Sequence, residues 1–487
     1  MMLPNQVENL INGKWQPSIT ASWFEKVAPH DGKVLARVTR STAEDTTQAI
    51  CSAMACKDKW QRLTSVERGN ILYKATDTIW SNIEEVAEIV SIETGKSTKD
   101  ARSEIMGAIQ LGRFFAAEGQ RLYGQTLNSG IPNKQAMLVR QPCGVAGLII
   151  SANTPAANFA WKLFPALICG NTVVLKAPED APLTIWKIAT LIESLLPAGA
   201  LNIVNGFGEE CGQRIAESED VDILSFTGST AVGTLLAGIA SKSLKKISLE
   251  LGGKNALVVY KDADIEQALH WTLLSSFSNA GQRCASSSRL LVHKDIFEQF
   301  KVELIRRVMM LKVGYGDEYD LGPVINEEAI VRLERAIATA CSEGGVVLIG
   351  GRRKVGSGYY FEPTILGNLP DESSILSMEL FGPVSSLHSF SDFDEMIEMV
   401  NNSPYGLTAS IHTQNIDVAW QFCEQVKVGT VNVNAGTHGS EPHFPFGGLR
   451  WSGNGTREPG LQALDIYSNW KMIGMNIKER CFSAWET

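Results

Sequence analysis

The chain is poor in the patterns that mark several common chemistries. It has no CxxC pair and no close Cys/His cluster, so no zinc or other metal site is expected. Its nine cysteines, an odd number, read as free thiols and suit a reducing compartment. The opening residues, MMLPNQVENLINGKW, lack a basic segment followed by an apolar core, so no secretory signal is expected. No run approaches the roughly eighteen uncharged apolar residues that cross a bilayer, so no membrane partner is expected either. These exclusions leave a cytoplasmic location. A formal net charge of -9 without a basic cluster argues against nucleic acid as a partner. Neither GxSxG nor HExxH occurs, which removes the common serine-hydrolase and zinc-protease readings.

What is present is an apolar content of 44% over 487 residues, enough for two or three domains. INGKW (Ile11 to Trp15) predicts a short hairpin. Residues 42–92 are helical in pattern: Ile71, Leu72, Ala75, Ile79, Ile83 and Val86 recur at helical spacing, and Gly95 is a C-cap candidate. A further helix is predicted over about 101–119. From Val145 onward, strands alternate with helices: VAGLII, TVVLK (Thr172 to Lys176), LNIVNG and ILSFTG (Ile223 to Gly228). That alternation predicts a mostly parallel sheet covered on both faces, with ligand loops at the carboxyl ends of its strands. A second α/β unit begins near Gly252 with NALVVY, a helix near 265–280, and SRLLVHKD.

Several residues carry candidate chemistry. FTGSTAVG (Phe226 to Gly233) puts glycines and hydroxyls between a strand and a helix, where free N–H groups favour a phosphate. GFGEECG (Gly206 to Gly212) is a second glycine-rich turn; alone, either is equally a plain connection. Lys176 ends a strand and Glu179 follows it. A carboxylate there accepts from both ribose hydroxyls of an adenosine and repels a 2′-phosphate, favouring NAD over NADP; the alternative is a solvated pair. Cys284, in NAGQRC, is a candidate nucleophile. A helix opening in the run after it would stabilise a thiolate, and its backbone N–H an oxyanion; the alternative is a structural cysteine. Asn153 follows VAGLII, placed either to donate to that oxyanion or to cap the helix near Pro155. Glu250, in LELGGKN, ends an apolar run that would raise its pKa and suit a general base, unless it is an exposed strand-end carboxylate. Glu379, in SMELFGPV, either holds a nicotinamide ribose or pairs with a lysine.

In order along the chain stand NTPAANFAWK, NTVVLKAPE, FTGSTAVG, LELGGKN, NAGQRC, MELFGPV, YGL and FPFGGLRWSG. With these, over nearly its whole length, the chain resembles the aldehyde dehydrogenase superfamily. The resemblance implies an α/β fold with a Rossmann-type cofactor domain (1–121 and 141–251), an α/β catalytic domain (252–433) and a small β oligomerisation arm (122–140 and 465–487). Residues 434–464 would return to border the active site, and subunits would form a homodimer or homotetramer. Cys284 is implied as nucleophile, Glu250 as general base, and Asn153 with the Cys284 N–H as oxyanion hole. Contacts to NAD are implied at Ser151, Lys176, Glu179, Gly208, Phe226, Gly228, Ser229, Gly233, Leu251, Glu379 and Phe381. The implied reaction oxidises a small-molecule aldehyde to its carboxylic acid through a thiohemiacetal and a thioester, with hydrolysis rather than transfer to coenzyme A.

Departures from the family pattern bear on the substrate. Thr154 stands where many relatives carry an aromatic residue. Asn158 lies one helical turn on and could face the same channel, with Trp161 as an apolar wall. Arg283, His438 and His443 are candidate contacts for a carboxylate or hydroxyl. These residues favour a polar aldehyde such as a semialdehyde, while the space left by Thr154 also suits an aromatic one. An NADP-preferring or phospho-aldehyde enzyme, or a catalytically silent structural protein of the same fold, are the rival readings.

Overall fold

The computed structural model describes residues 3–477. The chain opens with β1 (Gln6–Val7) and the hairpin β2 (Asn9–Ile11) and β3 (Lys14–Gln16). Asn12 and Gly13 join the two strands with φ of 53° and 69°, the left-handed pair a tight two-residue hairpin needs. Next come β4 (Trp23–Val27) and β5 (Val34–Thr39). Four helices follow: α1 (Ala43–Gln61), α2 (Ser65–Ser81), α3 (Ile83–Thr94) and α4 (Thr98–Glu118). Thr42 and Thr64 start the first two with reciprocal capping boxes to Asp45 and Glu67. Gly95 ends α3 at φ 80°, as the spacing predicts.

After β6 (Gln125–Leu127) and β7 (Lys134–Pro142) the alternation begins. It runs β8 (Val145–Ile149), α5 (Pro155–Ile168), β9 (Thr172–Lys176), α6 (Pro182–Ile192), β10 (Leu201–Val204), α7 (Gln213–Glu217), β11 (Ile223–Thr227), α8 (Thr230–Ser241) and β12 (Lys246–Glu250). These strands and the hairpin form a seven-stranded sheet in the order β12-β11-β8-β9-β10-β2-β3, with β8 to β12 parallel. Strands β8, β9 and β10 are buried throughout, because helices cover both faces. Strand order reverses beside β8, which opens a crevice at the carboxyl ends of β8 and β11.

Residues 251–254 alone separate this sheet from the next. The second half runs β13 (Asn255–Val259), α9 (Ile265–Phe277), β14 (Ser287–His293), α10 (Lys294–Met310), α11 (Glu327–Ser342), β15 (Val346–Ile349), β16 (Thr364–Gly367), β17 (Val384–Phe390), α12 (Phe393–Asn401), β18 (Tyr405–Gly406), β19 (Thr408–His412), α13 (Ile416–Gln425) and β20 (Thr430–Val433). Its seven strands are ordered β15-β16-β17-β14-β13-β19-β20, parallel except for β15. The chain then passes β21 (Leu449–Arg450), which pairs with β18, and α14 (Ala463–Ile466), and ends in β22 (Ser468–Asn476). Strand β22 runs antiparallel along all of β7, with β6 on the other side. Arg140 lies 4.0 Å over the Trp470 ring in that small sheet. Residues 478–487 of the expected arm, Cys481 among them, lie outside the described residues.

Two sequence expectations are corrected. The helix expected to reach residue 280 stops at Phe277, because Asn279, Ala280 and Gly281 turn left-handed at φ 54°, 53° and 68°. No helix opens after Cys284: Ser287 begins the buried strand β14.

Helix α6 begins without a capping side chain of its own, and Glu93 of α3 supplies one. The Glu93 carboxylate accepts from the Thr184 N–H at 2.8 Å, the Leu183 N–H at 2.5 Å and the Thr184 hydroxyl at 2.6 Å. Burial pushes its pKa from 4.5 to about 7, against the opposing effect of Lys26. A carboxyl raised in the folded state favours folding below its unfolded pKa, and that advantage is lost as pH rises through the folded value. The stability of wild type relative to Glu93→Gln is therefore expected to fall by about 3 kcal/mol between pH 4.5 and about 8. Denaturant titrations across that range check this, and a difference independent of pH contradicts it.

Candidate active site

Cys284 sits in a tight turn leading into β14, and contacts from several segments hold that turn. The Asn255 amide donates to the Cys284 carbonyl at 2.7 Å and to the Ser286 carbonyl at 2.9 Å. The Thr437 hydroxyl donates to the Ala285 carbonyl at 2.6 Å. Gln282 bonds through its side chain to the carbonyls of Asn279 and Pro323 and to the Ile325 N–H. A β-carbon at Gly252 would overlap the Glu379 carboxylate, and one at Gly253 would overlap the Cys284 carbonyl, which explains both glycines of LELGGKN. Cys284 is partly exposed and lines a cavity of about 330 Å³. Surrounding protein, then Glu250 and Glu379, push the thiol pKa up to about 12, against the Ala285 N–H and Arg283. The expected helix-terminus effect on this thiol is therefore corrected: the turn leads into a strand.

Asn153 lines the same cavity. Its amide donates to the Gln282 carbonyl at 3.0 Å, two residues before Cys284, while its side-chain oxygen accepts from the Ser151 hydroxyl at 2.8 Å and the Asn158 amide at 3.2 Å. One N–H of the Asn153 amide is thus used to orient it and a second remains to donate. It does not cap α5; Thr154 occupies that position.

Glu250 closes β12, and its carboxylate is buried with neither oxygen hydrogen-bonded. Burial, then Glu458, raise its pKa well above the ordinary carboxyl value, against Lys162 and Arg457. Nearby lies a buried ion pair that sequence reasoning missed. Lys162 of α5 bonds Glu458 and the Ser225 hydroxyl, each at 2.7 Å. Ser225 and Tyr467 also donate to Glu458, at 2.9 and 3.0 Å. The available signal was a lysine inside the apolar helix PAANFAWKLFPALI.

The other expected positions divide into groups. Lys176 ends β9 and pairs with the half-exposed Glu179 at the mouth of the crevice. Gly208 opens a single wide turn over Gly208–Gly212. Ser229 caps α8, accepting from the Val232 N–H at 3.4 Å. Phe226 and Leu251 are buried, Phe226 beneath Gly228 and Leu251 against Gly233, so they support the crevice from inside. The Ser151 hydroxyl donates to Asn153 at 2.8 Å and accepts from Asn158 at 2.9 Å. Glu379 accepts from the Gly253 N–H at 3.0 Å, and burial pushes its pKa up to about 7. It shares a narrow cleft with Phe381, Gly253 and Arg283. These residues fit a dinucleotide: carboxylates stand at both ends, an open helix N-terminus lies between, and Gly252 leaves room for Glu379.

Thr154, Trp161, Arg283 and His438 line the cavity with Cys284. Two expected channel residues do not. Asn158 is 7% exposed and spends its amide on Ser151, Asn153 and Thr154. His443 is exposed beside Glu441, which itself lines the cavity. The Arg283 Nε and the His438 Nδ1 are buried without a partner. Burial, then Arg283, lower the His438 pKa to about 4. Lys96, just before α4, and Glu104, in its second turn, also line the cavity and escaped sequence reasoning.

Two facing α/β sheets whose loops converge on this cavity define an enzyme of the dinucleotide-binding class. A family model described as "Aldehyde dehydrogenase family" matches residues 15–473, and the chain belongs to that family. It is similar to succinate-semialdehyde dehydrogenase, mitochondrial, of Oryza sativa subsp. japonica, at 37% identity over 96% of this chain and 89% of the relative. It is similar to alpha-ketoglutaric semialdehyde dehydrogenase of Bacillus subtilis, at 35% identity over 96% of this chain and 98% of the relative. The NAD+ complex of an aldehyde dehydrogenase from Bacillus cereus superimposes with a TM-score of 0.96 at 33% identity, covering 98% of each chain. The chain is accordingly an enzyme that oxidises an aldehyde to the carboxylic acid.

Proposed function

We propose that Cys284, Asn153 and Glu250 carry this oxidation, with NAD as oxidant and a carboxylate-bearing semialdehyde as substrate. One observation carries the reading: the Asn153 amide reaches the backbone beside Cys284, and both side chains line one cavity. The Cys284 thiol loses its proton to solvent in the cavity, and its sulfur bonds to the aldehyde carbon as the C=O π pair moves to oxygen. The carbonyl oxygen then takes up charge beside the spare Asn153 N–H and the Cys284 N–H, where one such donor is worth about 3 kcal/mol in the transition state. Bound NAD supplies the two-electron oxidant that converts this adduct into a thioester. Glu250 takes a proton from water, the water oxygen bonds to the thioester carbon, and the C–S bond breaks to free the acid. A buried carboxyl with a raised pKa and no hydrogen bond has a heightened proton affinity, which suits a group that takes a proton from water. Glu179 and Glu379 are suited to the two riboses, and Glu179 disfavours a 2′-phosphate.

The substrate assignment rests on Arg283, a cation on the cavity wall whose Nε has no partner. Thr154 leaves space beside it. The rice and Bacillus subtilis relatives carry semialdehyde names, in keeping with this reading. An aromatic aldehyde is the second reading, favoured by the Trp161–Phe446 edge-on pair on the same wall. We assign 1–121 with 141–251 to the cofactor, 252–433 to catalysis and 434–464 to the border of the site. The arm, with Trp470 and Met472 exposed, would join subunits into a homodimer or homotetramer. Among the described residues no helix is long and apolar enough to cross a membrane. We place the enzyme in the cytoplasm on its free thiols.

Cys284→Ala is expected to abolish aldehyde oxidation and leave NAD binding intact, read by NADH absorbance and by cofactor titration. Turnover at the wild-type rate overturns the mechanism. Arg283→Met is expected to raise KM for a semialdehyde by about 10- to 100-fold, the value of a charge-assisted hydrogen bond, without changing KM for a straight-chain aldehyde of equal length. An equal change for both substrates overturns the assignment.

A further inference from the structure

The turn carrying Asn153 is gripped from both sides by one buried ion pair. Lys96 lies between α3 and α4, and Glu104 in the second turn of α4; their side chains are 4% and 6% exposed. The Lys96 ammonium donates to Glu104 at 2.5 Å and to the Asn153 backbone carbonyl at 2.9 Å. The other oxygen of Glu104 accepts from the Ala156 N–H at 2.9 Å and, more weakly, the Ala157 N–H at 3.4 Å. Helix α5 needs that carboxylate, because Thr154 makes no capping bond and no acid lies in the helix's first turn. Capping explains Glu104. It does not explain why the counter-charge reaches past it to the carbonyl of Asn153.

We propose that Lys96 and Glu104 are positioning residues for the oxyanion donor, a clamp that fixes the peptide bearing Asn153 so that its spare N–H points at the carbonyl bonded to Cys284. The proposal rests on the reading of Asn153 given above. A buried ion pair contributes little net stability compared with apolar side chains of similar volume, so stability alone gives weak reason for this one. Its place on the cavity wall gives a stronger one. The clamp holds the carbonyl before Thr154 and the N–H groups after it, and a displacement of about 1 Å at a reacting group costs on the order of 100-fold in rate. Lys96 is not a second receptor for the substrate's charge. Its own charge is met by Glu104 in direct contact, whereas Arg283 Nε has no partner.

A double-mutant cycle tests the clamp on the full-length enzyme. Asn153→Ala is expected to lower kcat by about 100-fold or more. Lys96→Met is expected to lower kcat by about 10-fold or more, with KM within about threefold and NAD binding retained; a positioning loss falls on the transition state. In the Asn153→Ala background the same Lys96→Met change is expected to cost less than about twofold, because the donor it positions is gone. If stranding the Glu104 charge prevents folding, Lys96→Met with Glu104→Gln removes both charges and keeps an oxygen for the Ala156 N–H. The same expectations apply to that pair. Losses that multiply across the cycle, or a folded Lys96 variant with kcat within twofold of wild type, overturn the clamp and leave the role of Asn153 standing. An Asn153→Ala enzyme with unchanged kcat overturns both.

Discussion

Asn255 ties the turn that carries Cys284 to the second sheet, just after the short link between the two sheets. It is the first residue of β13, and its amide holds the carbonyls of Cys284 and Ser286 while its oxygen accepts the Thr408 N–H at 3.0 Å. One side chain thereby locks the cysteine turn to a central strand of the second sheet. Glycines 252 and 253 immediately before it let the Cys284 backbone and the Glu379 carboxylate close in from the other side. Four residues, 251–254, carry the chain from the end of β12 to the start of β13. Cys284 and Asn153 line one cavity, and Glu250 is near enough to raise the Cys284 pKa.

Charge is handled there in two ways. Two interior ion pairs are matched: Lys162 with Glu458, and Lys96 with Glu104. Other buried groups are left unmatched: both oxygens of Glu250, the Arg283 Nε and the His438 Nδ1 have no partner. Burying a polar group without a hydrogen bond costs stability. The raised pKa of Glu250 is the same cost seen as proton affinity.

Much of the architecture was legible in the sequence because it is local. The strand–helix alternation, the Asn12–Gly13 hairpin and the left-handed Gly95 stop follow from periodicity and turn chemistry. Asn153 and Glu250 stood out because each ends or follows a recognisable strand, and Cys284 because of its setting in NAGQRC. What was not legible depends on contacts between distant segments. Asn158 has the helical spacing of a channel residue, yet its amide turns back to the β8–α5 loop. The run after Cys284 resembled a helix start, but three left-handed residues redirect the chain into a strand. Lys96 and Glu104 carry no motif; only the packing of α4 against α5 reveals their shared task.

The proposed mechanism turns on one covalent bond, between the Cys284 sulfur and the carbon of the substrate's former aldehyde group. Glu250→Gln should slow release of that group more than its formation. Rapid quenching of the Glu250→Gln enzyme with NAD and aldehyde, followed by peptide mass spectrometry, measures the bond directly. An acyl mass on the peptide containing Cys284, accumulating in proportion to a burst of NADH, is the predicted result. A burst with no added mass on that peptide would contradict the account.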